Sequence, residues 1–239
     1  MHRLAEENPR FGYRRIASLL RREGWQVNTK RVHRLWKRAG LQVPQKQRKR
    51  RRLNTSDAGC TRLKASYPGH VWSVDFLFDT TEDGRQIKFM PIIDEYTREC
   101  FIIDVARSIT SGRVGRVLDE LFAEHDPPTH LRSDNGPEFI AKALKKYLED
   151  RDVDTRYIEP GAPWQNGYVE AFNATFRDEL LDRELFATVL EAQVLSEQYR
   201  TRYNTYRPHS ALDYVTPSAF AAQCRKQTNL TVEPALALA

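Results

Sequence analysis

Cysteine is scarce in this chain: Cys60, Cys100 and Cys224 are the only three among 239 residues, and they stand far apart. An odd number, with no Cys or His pairs at metal-ligand spacing, argues against a disulfide framework and a zinc module and suits a reducing compartment. Long apolar runs are lacking as well. None approaches the roughly 18 residues needed to cross a bilayer, and the opening Met1-His2-Arg3-Leu4-Ala5-Glu6-Glu7 holds no apolar signal-peptide core. The expected location is therefore the cytoplasm, with no membrane partner. Internal repeats are missing, and low complexity is confined to one basic run. With 40% hydrophobic and 29% charged residues, a chain of this length suits one medium globular domain plus a smaller one.

What the chain does have is charge, unevenly placed. A formal net charge of +6 hides two unlike parts. Residues 1–52 carry 17 Lys and Arg against 3 acids, whereas the remainder carries 21 against 29. A basic head of this density is the electrostatic footprint of phosphate binding, where protein cations displace condensed counterions. Within it, Tyr13–Arg22 puts Ile16, Leu19 and Leu20 on one helical face and arginines on the other, and Gly24 stops the pattern. Asn28 or Thr29 can cap a second helix with Val32, Leu35, Trp36 and Ala39 inward and Lys30, Arg31, Arg34, Lys37 and Arg38 outward, ended by Gly40. Two short helices joined by a tight turn read as helix-turn-helix, with Arg31, Arg34, Lys37 and Arg38 the candidate DNA contacts. The run Gln45–Arg52 is self-repelling and lacks apolar residues, so it reads as a linker in which Arg48, Lys49 and Arg50 touch phosphates.

From Val71 the pattern turns to strands: Trp72–Phe78, Gln86–Ile93 and Cys100–Val105, joined by turn-forming residues into an antiparallel meander. Helices are expected at about Ser111–Glu124, at 137–149 opened by Pro137, from Gly167 to about Leu181, and at 188–203. Short strands fall at Thr129–Arg132 and Val153–Ile158. This describes a mixed α/β domain with a five-stranded sheet flanked by helices. The expected division is 1–44 for the helix-turn-helix domain, 45–70 for the basic linker, 71–225 for the larger domain and 226–239 for a C-terminal tail. Thr216-Pro217 caps a short closing helix that holds Phe220.

Three acids stand in the larger domain in three unlike settings. Asp75 lies in the strand Val71–Phe76, Asp134 in the Asn-Gly turn of Ser133–Phe139, and Glu170 in the first turn of a helix. Between Asp134 and Glu170 lie 35 residues. Any one of them alone suits a structural role, as an Asx turn or an offset to the helix dipole. Together they suit the transfer of phosphoryl groups, where carboxylates hold a pair of divalent cations over the attacking and leaving oxygens. Asn173 and Arg177 follow Glu170 on the same helical face, and Arg177 is a candidate grip on the DNA backbone.

The triad and its neighbours resemble the OrfB transposase subunit of the insertion sequence three (IS-three) family, whose core is retroviral-integrase-like. The resemblance rests on Arg10–Ile16, Ser133–Phe139, Pro163–Glu170 and Tyr203–His209, in order along the chain. It implies a ribonuclease-H-like fold and a magnesium-dependent nick at the ends of an element, followed by joining of the freed 3′-hydroxyl to another phosphodiester. Mn²⁺ is implied as a substitute, with two ions expected. Asp75, Asp134 and Glu170 take the catalytic and metal-binding positions, while Asp94 closes a strand and, like Asp79, is not a ligand. The implied partners are double-stranded DNA, further copies of the chain on that DNA, and a DNA-binding domain encoded in an upstream frame. Unlike retroviral integrases, the head offers only His2 and His33 and no cysteine, so a zinc-binding His-His-Cys-Cys set is absent. The competing readings are a DNA-binding regulator or element remnant with inert acids, and a ribonuclease on the same fold. Arg207 and His209 suit either DNA contact or bracing of the Glu170 helix.

Overall fold

The structure, a computed structural model, describes residues 1–41, 43, 63–159 and 163–236. It divides into two compact units, residues 1–63 with 208–215, and residues 64–207 with 216–239.

The first unit holds three helices, α1 (His2–Glu7), α2 (Tyr13–Arg22) and α3 (Thr29–Arg38). The short α1, which buries Leu4 and Ala5, is too brief to show a period in sequence. Ile16, Ala17, Leu19 and Leu20 line the buried face of α2. Asn28 is the cap that opens α3, its Oδ1 accepting from the Arg31 N–H at 2.7 Å. Gly24 and Gly40, at φ +90° and +65°, take the left-handed conformation that ends each helix at little steric cost. Val32 and Trp36 are buried as expected, but Leu35 is 41% exposed. The inward stripe of α3 is one residue wide at each turn, and Leu35 falls beside it among Arg31, Arg34 and Arg38. The return segment closes onto α2 through the Ser18 hydroxyl, which donates to the Tyr214 carbonyl at 3.3 Å.

The second unit is a mixed sheet with helices on both faces. Its strands are β1 (Val71–Val74), β2 (Leu77–Thr80), β3 (Gln86–Asp94), β4 (Cys100–Ala106), β5 (His130–Ser133) and β6 (Asp154–Tyr157). Both β1 and β2 pair antiparallel with β3, Val74 opposite Ile92 and Leu77 opposite Phe89. Two residues lie between these pairs on each side, so β1 and β2 are one strand interrupted at Asp75-Phe76. The six segments therefore make the five expected strands. β4 covers the other edge of β3, and β5 and β6 run parallel to β1.

Alternation along the strands sorts side chains to two cores. Trp72, Val74, Met90, Ile92 and Leu131 meet α4 (Ser111–Glu124) and α5 (Lys142–Glu149) on one face. Leu77, Phe89 and Ile93 meet α6 (Gly167–Phe176) and α7 (Val189–Thr205) on the other, through Val169, Phe172, Phe176, Tyr199 and Tyr203. Two expectations about helices change. Pro137 does not open a helix: residues 136–140 make a single turn, with Phe139 and Ile140 N–H groups donating to the Gly136 carbonyl, and α5 starts only at Lys142. Phe139 is buried there, and swinging it into the core interrupts the helix. The closing helix, α8, runs over Pro217–Leu236, past the point where a tail was expected. Residues 45–62 of the expected linker lie outside the described residues.

Candidate active site

Asp75 sits where the strand opens between β1 and β2. Its Oδ1 accepts from the Phe76 N–H and its Oδ2 from the Asn173 side-chain amide, both at 2.9 Å. The parallel register sets Val71 beside His130 and Ser73 beside Arg132. Asp75 follows the end of β1 and Asp134 the end of β5, so the two acids stand at the carboxyl ends of adjacent parallel strands. Strand ends of this kind are where sites form in such sheets. The first turn of α6 carries Glu170, which is exposed.

Electrostatics reports the convergence. Burial pushes the Asp75 carboxyl up to about 6, and the charges of Asp134 and Glu170 push in the same direction, against the hydrogen bonds from Phe76 and Asn173. Three acids thus bear on one another. Hard oxygen donors of this kind fit a divalent cation such as magnesium. Among the described residues no three His, Cys, Asp or Glu side chains stand close enough together to share one ion, so the carboxylates would have to draw inward on it.

The turn that bears Asp134 is pinned on both sides of the sheet. Asp134 Oδ1 accepts from the Gly136 N–H at 3.1 Å, the Asx turn expected there. A Cβ on Gly136 would stand 3.0 Å from that same oxygen, a tight contact that would make the carboxylate give way by a few tenths of an ångström. On the opposite face Phe139 stacks on Phe76 with ring centres 4.7 Å apart. Glu138 pairs with Lys88, a buried lysine whose Nζ lies 3.6 Å from the Phe76 ring centre. Beneath the two aspartates, buried Arg132 donates to Glu95 Oε1 at 2.6 Å, and the Ser73 hydroxyl donates to the same oxygen. This ties β1, β5 and the turn after β3 to one another.

Of the other expected residues, Arg177 donates to the Phe78 carbonyl at 3.0 Å, which spends part of its fork inside the fold beside the strand break. Arg31, Arg34, Lys37 and Arg38 are exposed on α3 in the first unit. Arg48, Lys49 and Arg50 lie outside the described residues. Asp94 is buried and accepts from the Gly69, Tyr96 and Thr97 N–H groups, closing the end of β3 as expected. Asp79 caps its own strand by accepting from the Thr80 N–H at 2.8 Å. Arg207 is buried and grips Glu179 through Nε and one terminal nitrogen at 2.9–3.0 Å, which makes it a brace in the core. Sequence reasoning missed Lys88, Glu95 and Arg132, although a lone cation inside an apolar strand, as in Gln86-Ile87-Lys88-Phe89-Met90, is a usable signal of a buried pair.

A mixed sheet ordered β4, β3, β1 with β2, β5, β6, with paired aspartates at adjacent strand ends and a glutamate on the facing helix, defines a ribonuclease-H-like core of the polynucleotidyl-transferase class. Family models of an integrase core domain match residues 65–163 and 151–217, and a model of an HTH-like domain matches residues 1–50. A 31.7 kDa protein of insertion element IS407 from Burkholderia multivorans is 40% identical over 93% of this chain and 79% of its own length. A 39.2 kDa protein of insertion element IS476 from Xanthomonas euvesicatoria is also 40% identical, over 94% of this chain and 64% of its own length. The putative IS150 transposase of Escherichia coli is 27% identical over 91% of this chain. Among solved structures, the magnesium-bound catalytic core of HTLV-2 integrase in its trimeric form aligns with 65% of this chain at TM-score 0.52 and 15% identity. The BIV integrase core aligns with 67% at 0.51 and 18%. These two share the fold. The chain belongs to the bacterial insertion-element transposases with an integrase core, of the IS-three type.

Proposed function

We propose that this transposase cuts and joins DNA at the ends of its element by a metal-dependent reaction, with Asp75, Asp134 and Glu170 as the catalytic and metal-binding acids. What supports the reading is that Asp75 and Asp134 follow the ends of paired strands, and that the helix bearing Glu170 is tied to Asp75 through the Asn173 side-chain amide at 2.9 Å. Asp75, Asp134 and Glu170 would hold divalent metal, Mg²⁺ with Mn²⁺ as a substitute and two ions in all, which when bound would supply Lewis-acid stabilisation of the attacking and leaving oxygens. Asp75 and Asp134 hold their places through backbone N–H groups and Asn173, so the strand ends present oxygens in fixed directions. Glu170 closes the site from α6. Residues 1–44 act as a DNA-binding domain, with Arg31, Arg34, Lys37 and Arg38 supplying phosphate or base contacts. Arg48, Lys49 and Arg50 add phosphate contacts from the linker, and the remaining donors of Arg177 face the backbone near the cut. Residues 71–225 form the catalytic core. Two element ends must meet for joining, which calls for more than one copy on DNA and suits an upstream-frame DNA-binding partner.

The test is Glu170→Gln, assayed on an oligonucleotide that carries an element end. DNA binding should persist, and Mg²⁺- or Mn²⁺-dependent nicking should fall below detection. Full nicking by the variant overturns the reading, and tight DNA binding with no nicking by the unaltered protein identifies an inert regulator.

A further inference from the structure

The helix that bears Glu170 changes its winding just below the site. At Arg177, α6 passes into a π-turn, Arg177–Leu181, closed by the Asp182 N–H donating to the Arg177 carbonyl at 2.8 Å. One inserted residue rotates the rest of the turn by about 100° about the helix axis, the angle of a single residue in a 3.6-residue turn. The rotation buries Leu180 and Leu181 together and brings Glu179 inward beside them. Arg207, two residues past the end of α7, meets it. The two side chains are 5% and 11% exposed, and three bonds of 2.9–3.0 Å join the guanidinium fork to both carboxylate oxygens.

A buried ion pair is a poor source of stability, because desolvating both charges offsets most of their attraction and an apolar pair of like volume holds a helix as well. What a bidentate fork adds is direction. Two further polar ties of this helix go to the interrupted strand, from Asn173 to Asp75 and from Arg177 to the Phe78 carbonyl. Those two fix the distance of the helix from the sheet. The third, off to one side on the π-turn, fixes its rotation, and with it the direction in which Glu170 points.

We propose that Arg207 and Glu179 are a positioning pair whose geometry turns Glu170 toward Asp75 and Asp134. The proposal rests on Glu170 being a metal ligand. The experiment measures Mn²⁺ binding by calorimetry on the full chain without DNA, for Arg207→Lys and Glu179→Gln, each alone and combined with Glu170→Gln. Arg207→Lys keeps the charge but loses the fork. It should weaken Mn²⁺ binding about tenfold, the scale of a lost supporting contact at a metal site, with thermal unfolding nearly unchanged. In the Glu170→Gln background the same substitution should change Mn²⁺ binding by less than about twofold, since the group through which it acts is gone. Glu179→Gln should repeat this pattern in Mn²⁺ binding but unfold at a lower temperature, since it leaves Arg207 buried beside a neutral partner. Equal losses in both backgrounds, or none with Glu170 present, overturn the pair alone. So does global unfolding of both single variants, which marks the pair as a stability element. If Glu170→Gln by itself leaves Mn²⁺ binding unchanged, the metal reading of Glu170 falls and the pair's role falls with it.

Discussion

The two units of this protein use charge in opposite ways. In the first, Arg31, Arg34, Lys37 and Arg38 stand exposed along α3, where water solvates each one and a phosphate can replace the water. In the second, Lys88, Arg132 and Arg207 are buried, each against a carboxylate from a distant part of the chain. An exposed cation contributes attraction that falls off with salt and tolerates movement. A buried pair contributes little net attraction but tolerates almost no movement, because either partner left alone is strongly unfavourable. The first arrangement suits a partner whose contour varies. The second suits a site where three acids must be held at set positions.

The largest difference between the units should appear on removing one cation from each. Arg132→Met leaves Glu95 buried without its guanidinium, and the expected loss of stability is about 3–5 kcal/mol in urea unfolding. Arg34→Ala on α3 removes a solvated charge and should change stability by no more than about 0.5 kcal/mol. Comparable losses would erase the distinction. Replacing Arg132 and Glu95 together by apolar residues should restore much of the stability.

Legibility in the sequence divides along the same line. Helices α2, α3 and α4 were readable because an apolar stripe and a stop signal lie within a dozen residues of each other. The triad is proposed from its spacing and its turn chemistry, and the Asx turn at Asp134 is as expected. The break in the first strand was not readable, since nothing in Trp72–Phe78 distinguishes a paired residue from Asp75, which satisfies its neighbour's N–H with its own carboxylate. Pro137 misled because a favourable first residue cannot outweigh the burial of Phe139 two residues on. The paired charges were invisible for a different reason. Lys88 and Glu138 lie 50 residues apart, and Arg207 and Glu179 lie 28 apart, and neither periodicity nor local motif reports a contact that only the fold makes.

A second test concerns the acids. The Asp75 carboxyl, pushed up to about 6 by burial and by two like charges, holds its proton more tightly in the folded protein than in the unfolded chain. Folding therefore favours the protonated acid, and the contribution is one of destabilisation on ionisation. Without metal, the contribution of Asp75 to stability, read as the difference between the unaltered protein and Asp75→Asn, should fall as pH rises from about 4 to about 6, by on the order of 2 kcal/mol, and level off above. Saturating Mg²⁺ should remove that fall by favouring the charged form. A difference that shows no fall over this window would mean that Asp75 does not stand in the buried, like-charged setting described.

The smallest effect lies in the head, where the comparison can be sharpened residue by residue. If the α3 cations meet phosphates, each one removed should lower the slope of log K against log salt by about 0.9. Arg31→Ala and Arg34→Ala, separately and together, should do so additively in a fluorescence titration of a duplex with the full chain. Leu35→Ala lies in the same strip of surface, with Leu35 41% exposed, but carries no charge. It should leave the salt slope untouched and lower affinity, if at all, only where a thymine methyl meets it, so that the loss disappears on a duplex carrying deoxyuridine in place of thymidine. An unchanged slope for both arginine variants would take α3 away from the phosphates, whereas a slope changed by Leu35→Ala would show that the strip acts through its fold and not through its charges.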